Sequence, residues 1–100
     1  MTKEDITAWA VANGWRMIGG NPSLGKPGKP DDAIVRIALK ATVANLEIRK
    51  PSGKWEKVAG ANYTAITAGE EGEMPRGLGL ERVHSLARLM QDNRDAMVFR

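Results

Sequence analysis

The stretch VRIALKATVANLEIR, residues 35–49, decides the fold. Val35, Ile37, Leu39, Ala41 and Val43 alternate with Arg36, Ala38, Lys40 and Thr42, the period of a half-buried strand. The phase changes at Ala44-Asn45, after which Leu46 and Ile48 alternate with Glu47 and Arg49. A pleated chain that switches from odd to even needs a bulge or a turn there. Otherwise half of its apolar side chains would face water.

Outward from this stretch, Lys50-Pro51-Ser52-Gly53-Lys54 has the composition of a hairpin turn. Trp55 to Val58 then starts the returning strand. Gly60 is expected to interrupt it, with Tyr63 to Thr67 continuing it or forming another short strand. Residues 68–79 read as a loop, acidic at first and Gly-rich at the end. Leu80, Val83, Leu86, Ala87 and Met90 recur at helical spacing, which predicts a C-terminal helix ending near Asp92. Ala96 to Phe99 reads as a last short strand.

Toward the N-terminus, residues 19–32 (GGNPSLGKPGKPDD) hold four Gly, three Pro and two Lys. That composition predicts a flexible loop, unusually long for a small domain. Trp15-Arg16-Met17-Ile18 before it reads as a strand. Residues 3–13 read as a helix with Thr2 as N-cap, acids in its first turn, and Ile6, Trp9, Ala10 and Asn13 along one face. Gly14 ends it. The expected architecture is a single α+β domain over residues 1–100. It is a two-layer sandwich with an antiparallel sheet of 4–5 strands and an N-terminal and a C-terminal helix on one face. Arg36, Lys40, Glu47 and Arg49 would point from the other face into solvent.

The totals exclude several classes. No Cys is present, so disulfides and thiolate metal sites are out, and a reducing, cytoplasmic setting is expected. No window approaches the length of a membrane span, and a soluble protein is expected. The net charge of +3 is unevenly spread: residues 14–58 hold nine basic and four acidic residues, whereas the flanking segments each sum to −1. A basic middle third suits an anionic partner.

Gly20 to Lys26 satisfies the opening of a phosphate-binding P-loop, but Pro27 stands where the Ser or Thr that binds magnesium must be. Pro27, Gly28 and Pro30 also oppose the helix that must follow. His84 is the only histidine, which leaves neither a second His for a metal site nor a supported triad with Ser85 or Ser52. Glu70, Glu71 and Glu73 lack the spacing of a calcium loop. Arg76-Gly77-Leu78-Gly79 reads as a tight entry turn to the second helix rather than an anion site. No catalytic residue, cofactor or metal ligand is expected.

Gly14-Trp15-Arg16-Met17-Ile18 after a helix resembles the opening of small double-stranded-RNA-binding-like proteins, including the HicA-type toxins. The resemblance would imply ribonuclease activity, which in those toxins uses a His in a Gly-Ser-His context just after this opening. This chain has Gly20-Asn21-Pro22-Ser23 there, which argues against that activity.

The remaining constellation is basic and partly aromatic. Lys26 and Lys29 lie in the expected loop, Arg36, Lys40 and Arg49 on the outer sheet face, and Lys54, Trp55 and Lys57 in and after the hairpin turn. Cations that attract a backbone, beside an aromatic that stacks on bases, are the means by which single-stranded nucleic acids are held. The expectation is a non-enzymatic domain that binds RNA, single-stranded DNA or another polyanion. The alternative is a protein-interaction or adaptor domain that uses a sheet edge, or the apolar residues Trp55, Met97, Val98 and Phe99. Whether Trp55 fills the core or lies on the face is left open by its unfixed phase.

Overall fold

The computed structural model of the chain describes residues 1–26, 28–70 and 74–83. Helix α1 (Lys3–Ala12) is followed by strands β1 (Arg16–Ile18), β2 (Asn21–Lys26), β3 (Lys29–Leu39), β4 (Val43–Arg49) and β5 (Trp55–Asn62). The strands form one antiparallel sheet in the order β1-β2-β3-β4-β5, so every connection is a hairpin. The expected C-terminal helix, apart from a 3₁₀ turn at Leu80–Arg82, lies outside the described residues. So do His84 and the strand expected at 96–99.

The odd-to-even switch is a turn. Lys40 N–H donates to the Val43 carbonyl at 2.9 Å, and β3 pairs with β4 through Leu39↔Ala44, Ile37↔Leu46 and Val35↔Ile48. Each of these pairs joins an odd residue to an even one, which puts Val35, Ile37, Leu39, Ala44, Leu46 and Ile48 on one face. Lys40 therefore belongs to the β3–β4 turn rather than to the sheet face, a correction to the expected strand.

The larger correction concerns residues 19–32, expected as a loop. They form two tight turns, strand β2 and the start of β3. Ile18 pairs with Asn21 around Gly19 and Gly20, whose φ values are 59° and 83°. Two consecutive positive φ angles are what a two-residue hairpin turn matched to strand twist requires. Lys26 pairs with Lys29 beside Gly28, again at positive φ. Between these turns Pro22, Ser23 and Leu24 are buried, and Leu24 pairs with Val35. Asn21 Oδ1 accepts the Leu39 N–H at 3.0 Å, so a side chain closes the ladder where β2 begins. The register is irregular on both sides of Gly25, a place where glycine is tolerated in a strand. A strand, not a helix, follows Lys26, which removes the P-loop geometry.

In β5, Gly60 does not interrupt the strand; it pairs with Asn45. A Cβ there would lie 2.5 Å from Asn45 Oδ1 and 3.1 Å from the Ala44 carbonyl oxygen, so a larger residue would have to shift the Asn45 side chain. Leu46 pairs with Ala59 and Glu47 with Lys57, which leaves Val58 as the extra residue of a bulge. Tyr63–Ala65 is a 3₁₀ turn rather than strand. The Tyr63 hydroxyl donates to the Lys40 carbonyl at 2.6 Å, tying this turn to the β3–β4 turn.

Helix α1 forms as expected. Thr2 Oγ1 accepts the Asp5 N–H and Asp5 Oδ2 accepts the Thr2 N–H, a reciprocal capping box. Ile6 and Ala10 are fully buried and join Trp15, Leu24, Val35, Ile37 and Leu46 in one core on the odd-even face. Trp9 packs tilted against Trp15, with ring centroids 6.0 Å apart. The segment after β5 completes the same core. A single bridge joins Thr67 to Arg76, and Ile66, Leu78, Leu80 and Val83 are buried. Residues 68–79 are thus not a solvated loop throughout, because Leu78 is at the centre of the packing. Among the described residues no helix is long and apolar enough to cross a membrane.

Candidate polyanion interface

An antiparallel meander puts alternate turns at opposite ends. The β2–β3 turn and the β4–β5 turn therefore share one end of the sheet, while the β3–β4 turn lies at the other. Lys26, Lys29, Arg49, Lys50 and Lys54 gather at or near the shared end, against Asp31, Asp32 and Glu56, whereas the Lys57 side chain runs along β5 to Gly60. Lys40 sits at the opposite end and is separated from the other candidates.

On the face away from the core, one row of paired residues crosses the whole sheet: Arg16, Ser23, Arg36, Glu47 and Lys57. Arg36 Nε is 2.6 Å from Glu47 Oε1, and the Glu47 side chain is only 12 % exposed. The expectation that Arg36 and Glu47 point freely into solvent is corrected. They form an ion pair shielded by its neighbours, and Ser23 and Ala38 beside it are buried as well.

Trp55 pairs with Arg49 at the start of β5 and lies on this outer face, outside the core cluster. The Arg36 guanidinium carbon is 4.1 Å from the centre of its ring. This cation–π contact covers part of Trp55 and leaves it half-buried. Trp55 is therefore neither a core residue nor a bare stacking platform. An incoming base would meet the Trp55–Arg36 pair as a unit, and Arg guanidinium groups accept stacked bases as aromatic rings do.

Two more candidates are already paired. Asp32 lies between Lys26, at 3.3 Å, and Arg49, at 3.1 Å. Arg49 Nε also donates to the Gly53 carbonyl at 3.3 Å, which fixes the guanidinium across the hairpin. Asp31 pairs with Arg16 at 2.8 Å. Among the described residues, no ion pair engages Lys29, Lys40, Lys50, Lys54 or Lys57, and all five are exposed. Reading the sequence missed the neutralising roles of Glu47, Asp31 and Asp32. The Gly28 turn signal would have pointed to Asp31 and Asp32, since the turn starts β3 at Lys29 and places both in a strand beside the basic residues.

Among the described residues, no three His, Cys, Asp or Glu side chains come together as a metal site. The likeness of residues 14–18 to double-stranded-RNA-binding-like proteins rests on that opening alone, since no protein-family model, curated protein or solved structure matches the chain.

Proposed function

We propose that the chain is a non-enzymatic binding domain that holds a single-stranded nucleic acid at the two-hairpin end of its sheet. One observation carries this reading. Lys29, Lys50 and Lys54 are exposed, engage no ion pair among the described residues and lie at the end where the Trp55–Arg36 pair also lies. Lysines supply the sequence-independent attraction to phosphates, and the Trp55–Arg36 pair offers a base a surface to stack on. Paired Arg36 serves as a positioned part of the scaffold, and Lys40 lies outside the footprint.

The adaptor alternative would use β5, which ends the sheet order and so presents a strand edge. The bulge at Val58 and the charge of Lys57 are the devices by which edge strands resist pairing with another chain. The apolar tail residues Met97, Val98 and Phe99 lie outside the described residues. The nucleic-acid reading is therefore preferred.

The test is a titration of labelled single-stranded RNA and DNA over a salt series. Contacts to about three phosphates give log K against log salt a slope of about −2 for single strands. No binding at low salt, or binding indifferent to salt, overturns the reading.

A further inference from the structure

Between the two hairpin tips lies a groove of about 410 Å³, bordered by Lys26, Asp32, Arg49 and Lys50, with Ile34 and Pro51 as apolar wall. Three cations and one carboxylate border it. That carboxylate is spread between two of them: one Asp32 oxygen is 3.3 Å from Lys26 Nζ, the other 3.1 Å from Arg49 Nη1. Lys50 is exposed at the rim and has no ion pair among the described residues. Resting on the nucleic-acid reading above, we propose that this groove is a phosphate site and that Asp32 is its internal competitor, occupying the cations until a phosphate displaces it.

The geometry favours phosphate as the chemical class. Arg49 is held from behind by the Gly53 carbonyl, and its Nη1 donates to Asp32 in the groove. A planar guanidinium fork matches a phosphate oxygen pair, and two flanking ammonium groups suit the other oxygens of a tetrahedral anion. A carboxylate has only two oxygens, and Asp32 meets Lys26 and Arg49 with them but not Lys50. The cavity is also far larger than one carboxylate needs. Asp32 is thus a weak occupant of a site with an excess of positive charge. Its side chain is 34 % exposed, which lets it swing out without opening the core.

Asp31 provides the control. It is next in sequence, carries the same charge, lies at the same end of the sheet and pairs with Arg16, away from the groove. Asp31→Asn and Asp32→Asn change the net charge equally. The experiment measures labelled single-stranded RNA binding at low salt for the full chain and both variants. Beside it, inorganic phosphate is titrated while the backbone amides of Lys26, Arg49 and Lys50 are followed by NMR.

Asp32→Asn is expected to tighten RNA binding by about fivefold, the scale of one exposed ion pair, and Asp31→Asn by less than about twofold. Phosphate should shift the three amides at lower concentration in Asp32→Asn than in the parent, and adding Lys26→Gln should cancel the gain. If the two Asn variants tighten RNA equally and phosphate leaves the groove amides unmoved, the groove proposal falls while nucleic-acid binding stands. If RNA binds none of the proteins but phosphate still perturbs the groove in Asp32→Asn, the site survives for small phosphates and the nucleic-acid reading falls. Absence of both responses removes both.

Discussion

Glu47 is 9 % exposed and carries its charge on the outer face of the sheet because Arg36 is held against it and covers Trp55 at the same time. Removing either partner leaves the other without its ion pair, but the costs differ because Glu47 is the more buried of the two. Arg36→Ala should destabilise by about 2–3 kcal/mol, because it strands a buried carboxylate and uncovers the indole. Glu47→Ala should cost about 1–2 kcal/mol, because water reaches Arg36 more easily. Urea unfolding measures both, and Arg36→Ala alone should shift tryptophan emission to the red. At the helix start, Thr2→Ala removes the cap and should cost about 1 kcal/mol. The Asp5 carboxyl is held below its ordinary range, chiefly because it accepts the Thr2 backbone N–H and then through its bond with the Thr2 side chain. Its folded value is depressed, so its stabilising contribution is complete above the ordinary aspartate pKa of about 3.9 and is lost as pH falls through the folded value. A melting series from neutral to acid pH should show this loss in the parent and not in Asp5→Asn.

The segment after β5 packs closely where it returns to the sheet. A Cβ on Gly77 would lie 2.5 Å from the Ala65 carbonyl oxygen, and one on Gly79 would lie 2.5 Å from Ala59 Cβ. Both residues also have positive φ, at 95° and 85°. Gly77→Ala and Gly79→Ala should each cost about 3 kcal/mol or more by thermal or urea unfolding, from strain and overpacking together. Gly19→Ala and Gly20→Ala meet nothing within 4 Å and should cost only about 1–2 kcal/mol each. The contrast tests whether the return segment is docked as described. The same glycines show why some elements were legible and others were not. Helix α1, β3 and the β4–β5 hairpin carried their periods openly, in Ile6 and Ala10, in Val35 and Ile37, and in Pro51-Ser52-Gly53. Strand β2 is hidden in the sequence because the bulk Gly and Pro content of residues 19–32 is that of a loop. Their positions mattered more: Gly19-Gly20 and Gly28 occupy turns, while Pro22, Ser23 and Leu24 are buried between them. The β3–β4 turn lies at residues 40–42, before the phase change at Ala44-Asn45, because Ala41 and Val43 prolong the alternation past the end of β3.

Across the molecule, the basic excess of residues 14–58 is visible in the sequence, but its effective part is set by pairing. Arg16, Lys26, Arg36 and Arg49 are matched by Asp31, Asp32 and Glu47, partners that only the hairpin registers reveal. Lys29, Lys50 and Lys54 remain exposed at the two-hairpin end, whereas Lys40 is exposed at the opposite end. Sequence alone put Lys40 with the others because a continuous strand would have carried it onto the same face. The central claim is that nucleic acid contacts one end of the sheet and not the protein's positive charge in general. It is tested most directly by the salt dependence of single-stranded RNA binding in two variants: Lys29→Gln/Lys50→Gln/Lys54→Gln, and Lys40→Gln. Loss of three phosphate contacts should flatten the slope of log K against log salt by about 2 in the triple variant, while Lys40→Gln keeps the parent slope. A triple variant with the parent slope, or a Lys40→Gln protein that loses as much slope as the triple variant, would contradict the account.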